Sequence, residues 1–510
     1  MARRAALVAL LALLVPGPAH AGVGEELRAI RSGLAHAVDV GWLAPGDSAR
    51  YATIAARTAA ASRRLPPHRA RELAAVLGRV AALAHGYTRP RALVLFTMLD
   101  LNRRHLGAAA LPPAGRDVYD AEGVVYRSFP GNGLQFHPLG NFARLNSLVA
   151  RGLYVEAERL ADALVARGVP VARGGLAWEY CFPFGGGRPP WTSGMAQAVA
   201  AQALARTGRA AEARRAYAAA TRLVLPGPWI RLYSFSSLRV LNAQLQAAVS
   251  LADYAELAPD SAAAALASRL RDRAAALLPR FDTGYWSLYA LGGREASLGY
   301  HRYVVQLLRR LAGQTGDPVW SERANRFQLY LEQPPLVRPR PIVYPLYPIP
   351  AEGYRDEAVV AFWLSKRSRV SLTVGGETRT ASFPRGSHRL TWRPGNRRPG
   401  QYLVRLNAVD LAGNRAAAEP FELEVARDTE PPDLLFATLT GSVLRWSALD
   451  DGTPWLRVRL LVLRSSGWKT LDLGQRPLSG VTQVRLPRRV QAAAFVATDS
   501  SGNRTEVRVL

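Results

Sequence analysis

The sequence predicts a multidomain, mainly α chain: an array of helical hairpins, a solenoid or closed (α/α) toroid, followed by two all-β sandwich modules. Three observations predict this. Apolar residues recur at three- and four-residue spacing from residue 25 to about 333. A proline-rich stretch follows at 334–350, and beyond it the apolar period changes to two. The 510 residues are 49% hydrophobic and 21% charged, enough apolar material for several cores and too much for a disordered chain.

In chain order, Arg3 and Arg4 precede an apolar run at 5–15, and Ala19-His20-Ala21 has the small-x-small form of a cleavage site. Residues 1–21 therefore read as a secretory signal peptide, and a secreted or periplasmic mature chain is expected. No later stretch has the length and apolarity of a membrane span. Residues 22–120 form an N-terminal helical region with a helix at 71–84. Residues 121–333 form the main array, with helices expected at 142–150, 154–167, 194–206, 210–223, 237–255, 260–278, 301–312 and 318–331. Successive helices joined by short loops pack as antiparallel hairpins, and several hairpins in series curve. Pro334, Pro335, Pro339 and Pro341 make 334–350 a stiff linker. Two sandwiches are placed at 351–428 and 433–510, with strands at 359–364, 370–374, 388–392 and 402–409. The turn Asp410-Leu411-Ala412-Gly413-Asn414 returns as Asp499-Ser500-Ser501-Gly502-Asn503, with Asp428-Thr429-Glu430-Pro431-Pro432 as a hinge between the copies. This repeat resembles the last hairpin of bacterial immunoglobulin-like or fibronectin-like domains.

Sixty-six basic against 39 acidic residues give a net charge of +27, of which residues 335–510 contribute +10. The helical part therefore carries most of the excess. Such a charge favours a polyanionic partner. No nucleic-acid-binding module and no basic cluster interleaved with aromatics is present, so nucleic acid is not expected, and an acidic polysaccharide suits both the charge and the expected compartment. Cys181 is the only cysteine, which excludes an intramolecular disulfide; it reads as a small buried hydrophobe.

Three loops in the helical region carry more aromatic and polar residues than a connection needs. The first holds Trp178, Tyr180 and Trp191, then Ser193 as a helix cap with Gln197 one turn on. The second runs Trp229-Ile230-Arg231-Leu232-Tyr233-Ser234-Phe235-Ser236-Ser237 into Asn242. The third is Asp282-Thr283-Gly284 with Tyr289 and Arg294, leading into Tyr300-His301-Arg302. Aromatic faces and a helix N-terminus can hold a sugar ring and an anionic group; taken singly, each aromatic reads as core.

In combination, over residues 178–331, these motifs resemble the C-terminal catalytic domain of the D-glucuronyl C5-epimerases. Residues 191–197 resemble the family's Trp-x-Ser-x-Met-Ala-Gln helix start, 229–242 its Trp-x-x-x-Tyr segment with Ser-Ser and Val-Leu-Asn, 282–289 its Asp-Thr-Gly loop and tyrosine, and 300–301 its Tyr-His. The resemblance implies an (α/α) toroid and places the family's catalytic tyrosines on Tyr233, Tyr289 and Tyr300. The expected substrate-binding residues are Trp178, Tyr180, Trp191, Ser193, Gln197, Arg231, Asn242, Arg294, His301 and Arg302. Leu232 stands where the animal enzymes have glutamate. The implied chemistry is removal and return of the C5 proton of a uronate, whose charge passes into the adjacent carboxylate. A tyrosine, with an ordinary pKa of about 10, would act as base if Arg231, Arg294 or Arg302 lowered it. The reaction calls for no cofactor and no metal. A polyuronate lyase on the same fold and a non-catalytic glycan-binding or envelope protein remain as alternatives.

Overall fold

The computed structural model describes residues 22–464, 467–478, 480–486 and 493–509; the signal-peptide reading of 1–21 lies outside them. Among the described residues, twelve α-helices fill the N-terminal part and antiparallel sheets fill the rest. The chain divides between Leu331 and Glu332 into two units.

In the helical unit, α1 (Val23–Asp39), α2 (Pro45–Ser62), α3 (Pro67–Ala82) and α4 (Arg89–Ala108) pack on one another. A three-stranded sheet follows, β1 (Asp117–Tyr119), β2 (Val125–Phe129) and β3 (Gly133–Phe136). Four helical hairpins come next: α5 (Pro138–Ala150) with α6 (Tyr154–Val165), α7 (Gly194–Arg206) with α8 (Ala210–Thr221), α9 (Leu241–Leu257) with α10 (Ser261–Leu277), and α11 (Leu298–Thr315) with α12 (Pro318–Leu329). Short ladders precede α7, β4 (Val169–Val171) with β5 (Gly175–Ala177), and α9, β6 (Val224–Leu225) with β7 (Trp229–Ile230).

The first helix of each hairpin forms an inner row in which α5 packs on α7, α7 on α9 and α9 on α11. Composition explains the row. From Gly194 to Leu204, α7 is buried on every side, as α9 is from Leu241 to Ala252, and both are rich in alanine, which lets neighbouring backbones approach. The outer helix α8 buries only Ala213, Ala216, Ala219 and Ala220, a stripe at helical spacing. The helices before residue 120, expected as a separate region, share their core with the hairpins: Ile30, Val76, Leu95 and Phe96 join Phe142, Leu160, Trp178 and Val199 in one apolar cluster.

The β unit holds β8 (Val337–Arg340), β9 (Ala358–Leu364), β10 (Ser368–Val374), β11 (Glu377–Phe383), β12 (Gly386–Trp392), β13 (Gly400–Asp410), β14 (Arg415–Ala417) and β15 (Phe421–Val425). It continues with β16 (Asp433–Thr440), β17 (Val443–Leu449), β18 (Trp455–Arg464), β19 (Gly467–Pro477), β20 (Thr482–Arg485), β21 (Ala493–Thr498) and β22 (Arg504–Val509). Two similar topologies result: β12-β9-β8 with β11-β10-β13-β14, where β15 also pairs with β13, then β20-β17-β16 with β19-β18-β21-β22. Each has its own core, around Phe362 and Trp392 in the first and Trp446 and Phe495 in the second. The stretch expected as a proline-rich linker belongs to this unit, since β8 pairs with β9 and Leu346 N donates to Glu424 O. Pro339 is tolerated because β8 is an edge strand. No described helix is long and apolar enough to cross a membrane.

Candidate active site

The four inner helices begin at the same end of their row, and each approach loop is tied to the start of the helix before it. Leu139 N, in the first turn of α5, donates to the Tyr180 hydroxyl at 3.3 Å from the loop that enters α7. Gly194 N, opening α7, donates to Arg231 O at 2.9 Å, while Ser234 N donates to Thr192 O at 2.8 Å, from the loop that enters α9. Leu241 N, opening α9, donates to Tyr289 O at 3.1 Å, from the loop that enters α11. Glycine is required at the second tie, since a Cβ at Gly194 would lie 2.7 Å from Arg231 O. His137 and Ser193 cap α5 and α7 through their side chains, as Ser297 does for α11 by accepting from Tyr300 N. Helix N-termini carry the positive end of the helix dipole, so this end of the row favours an anion.

The ties deliver one tyrosine per loop to the same place. The hydroxyls of Tyr233 and Tyr289 share a hydrogen bond at 3.4 Å. The ring of Tyr300 lies beside that of Tyr289, centroid to centroid 5.0 Å. Tyr233 stacks on Phe235 and meets Trp191 edge-on at 5.6 Å. Trp191 stacks face to face on Tyr180 at 4.0 Å, and its indole N–H donates to Phe182 O. Two residues missed by the sequence reading complete the group. His137 lies edge-on to Tyr180 at 5.5 Å, and the Arg127 guanidinium, held by Asp117 at 2.7 and 2.9 Å, reaches to 3.5 Å from His137 Nε2.

Burial dominates the electrostatics. Desolvation pushes the phenols of Tyr180, Tyr233, Tyr289 and Tyr300 above the ordinary tyrosine range, so all four are neutral in the free protein. Tyr289 differs from its two partners, because the Tyr233 and Tyr300 hydroxyls act against that rise. Arg127 opposes it at Tyr180 and Tyr300. Where Arg231, Arg294 or Arg302 was expected to lower a tyrosine, the cation that acts on Tyr180 and Tyr300 is Arg127. Burial, with Arg127 adding to it, pushes the His137 imidazole well below its ordinary value. Its Nδ1 accepts from Gly140 N at 2.9 Å, while Nε2 faces the Arg127 guanidinium, which can only donate.

The remaining expected residues fall outside the cluster. Trp178 is fully buried with its indole N–H on Leu164 O, and Gln197 pairs with the Trp178 backbone at 3.2 and 3.3 Å, so both brace the fold. Ser193 is spent on its cap. The Arg231 guanidinium folds onto Ser234 O at 3.0 Å. Asn242 is buried in the first turn of α9. Arg294 and Arg302 are exposed. His301, expected to bind substrate, is fully buried on the opposite side: Nε2 donates to Phe327 O at 2.8 Å, Nδ1 accepts from Ser287 N, and the ring stacks on Trp286 at 4.0 Å. Asp282 of the Asp-Thr-Gly loop is likewise structural, accepting from Arg323, Arg326 and the Tyr330 hydroxyl. Leu232 packs with Met195, Ile230 and Val240. Cys181 is buried, which pushes its thiol up.

Residues 218–329 match the family model for the D-glucuronyl C5-epimerase C-terminus. No curated protein matches the chain. Among solved structures, the chain is similar to a GH76 alpha-mannanase of Bacteroides thetaiotaomicron at 14% identity and a TM-score of 0.30, over 41% of this chain and 62% of that one. It thus spans less than two thirds of that enzyme. Fibronectin(III)-like modules of Clostridium thermocellum CbhA match at 12% identity and a TM-score of 0.18, over 34% of this chain and 92% of theirs. Chicken CNTN1 FN1-FN3 domains match at 15% identity and a TM-score of 0.18, over 34% and 68%.

Proposed function

We propose that the epimerase-like segment makes this protein a secreted uronate C5-epimerase, built on an (α/α) toroid with two immunoglobulin-like sandwiches appended and acting on an acidic polysaccharide. The observation that carries the reading is the gathering of Tyr233, Tyr289 and Tyr300 at the N-terminal end of the inner helices, the first two bonded through their hydroxyls and the third with its ring 5.0 Å from that of Tyr289. Abstraction of the C5 proton leaves an enolate-like dianion on the uronate. Positive helix ends and the Arg127 guanidinium suit that charge, and a desolvated setting strengthens both. Tyr289 is the phenol whose anion gains most, because neighbouring hydroxyls can donate to it, so it is assigned as base, acting in the minor fraction of molecules in which its proton has been given up to solvent. A flanking tyrosine, still protonated, returns a proton to the opposite face of C5. His137, held edge-on to Tyr180, forms that wall of the site.

Incubation of the protein with an unsulfated glucuronate polymer in deuterated water tests this. Deuterium at C5 without an ultraviolet-absorbing product supports epimerisation, and an unsaturated product supports a lyase. Leu232 specifically favours the third reading, a glycan-binding protein, because an apolar side chain packed with Met195, Ile230 and Val240 stands next to Tyr233 where the animal epimerases have glutamate; binding of the polymer with no exchange at C5 would establish that reading.

A further inference from the structure

The two β modules carry the same turn with different ionic surroundings. In the first, Asp410 Oδ1 accepts from Asn414 N and Oδ2 from Asn414 Nδ2, both at 2.9 Å. Lys366, buried in the connection between β9 and β10, neutralises that carboxylate at 2.7 Å and donates to Gln333 O. In the second, Asp499 makes the same turn, with Oδ1 accepting from Asn503 N and Oδ2 from Asn503 Nδ2, both at 2.8 Å. The correspondence extends to the hinge: Asn414 Nδ2 donates to Gln333 O, and Asn503 Nδ2 donates to Asp428 O.

The ionic partner is what changes. The connection between β17 and β18, equivalent to the one that carries Lys366, brings Asp450, and the hinge adds Asp428. One oxygen from each of Asp428, Asp450 and Asp499 lies within 4.8 Å of the others. Asp428 is 8% exposed and Asp499 4%. Asp428 Oδ1 accepts from Glu430 N and Asp450 Oδ1 from Gly452 N, but the Oδ2 atoms of both are buried without a hydrogen-bond partner among the described residues. Buried like charges left without a counter-charge are costly.

We propose that Asp428, Asp450 and Asp499 form a Ca²⁺ site, the cation taking the place that the Lys366 ammonium holds in the first module. An all-oxygen donor set selects a hard cation over zinc. Calcium–oxygen distances of about 2.3–2.6 Å allow ligand oxygens up to roughly 5 Å apart across one ion, whereas magnesium allows roughly 4 Å. The ion would join the hinge, the β17–β18 connection and the last turn. Glu352 of the first module reaches the same region, accepting from the hydroxyls of Ser500 at 2.7 Å and Thr453 at 3.1 Å. Calcium would thereby stiffen the junction of the two modules.

The test uses the full chain, stripped with chelator and examined by equilibrium dialysis against radioactive Ca²⁺ and by thermal melting. One Ca²⁺ retained per chain is expected at roughly millimolar free ion or below, with the melting of the β unit raised by roughly 5 °C at saturation and less by Mg²⁺. Asp450→Lys should restore the arrangement of the first module, folding without calcium and losing both the binding and the shift. Should that variant fail to fold, Asp450→Asn and the wild type decide the matter. A wild-type chain that retains no Ca²⁺, or an Asp450→Asn chain that retains as much as wild type, overturns the site.

Discussion

The two ends of the inner helices treat polar groups in opposite ways. At the C-terminal end the polar side chains satisfy one another: Asp253 of α9 accepts from Arg206 and Gln202 of α7 and from Arg310 and Gln314 of α11, while Asn146 of α5 bonds Gln202 and Arg206. The ionic knot supplies carboxylate to arginine where the helix dipoles are negative, a position that favours cations. At the N-terminal end four tyrosines share few hydrogen bonds among aromatic walls, with Arg127 as a cation acting on Tyr180 and Tyr300. One end is closed by its own residues; the other keeps neutral hydroxyls and positive helix ends for an anion brought from outside. The difference assigns stability to the first and chemistry to the second.

The sharpest way to break the comparison is Tyr300→Phe, which removes one oxygen and keeps the ring. Exchange at C5 should fall by at least about a hundredfold with the melting temperature nearly unchanged; retained exchange would make Tyr300 a packing residue. At the opposite end, Asp253→Ala should cost about 2 kcal/mol of stability, since Arg206 and Arg310 are partly solvated and the loss is smaller than for a fully buried pair. Denaturant unfolding measures this, and exchange per folded molecule should hold steady. If activity fell and stability did not, the two ends would have exchanged roles.

A smaller effect sharpens the contrast through pH. Because the folded His137 imidazole is held below its unfolded value, the unfolded chain binds the extra proton first. Stability from this residue is present above the unfolded value of about 6.5 and is lost as pH falls below it, by up to about 1.4 kcal/mol per pH unit. Unfolding between about pH 7 and 5 should be steeper in pH for wild type than for His137→Gln, and equal slopes would remove His137 from the desolvated cluster. Smallest of all, affinity for a glucuronate polymer should weaken with added salt, as expected for an anion held by cations and helix ends. Titration calorimetry at low and high salt checks it, and an unchanged affinity would transfer the binding to aromatic stacking.

How much of this was legible in the chain depended on whether the signal was local. The start of α7 at Gly194 was readable because Ser193 caps it, and α8, α10 and α12 followed from their apolar spacing. The beginning of α11 was placed three residues late, because Ser297 rather than Tyr300 starts it. His301 was credited to the site through its adjacency to Tyr300, yet neighbours on a helix point about 100° apart, so one faces the tyrosines and the other faces α12. Arg127 and His137 gave no comparable signal. They lie about a hundred residues before Tyr233, and only the pairing of β2 with β3 and the packing of α5 on α7 bring them to it. A His-Pro pair opening an apolar-periodic helix was the one available hint. In the β unit the alternation of β9 was plain, whereas β11, polar and mostly exposed along its length, offered no apolar period to read.

The most direct test of the central claim sets Tyr289→Phe against Tyr303→Phe, with deuterium incorporation at C5 of a glucuronate polymer as the readout. Both tyrosines sit near the inner row, but Tyr289 bonds Tyr233 and packs on the Tyr300 ring, while Tyr303 donates to Gln246 on α9. The account predicts exchange reduced at least about a hundredfold in Tyr289→Phe and within a few-fold of wild type in Tyr303→Phe. Equal exchange in the two variants, or none in the wild type on any uronate polymer, would contradict it.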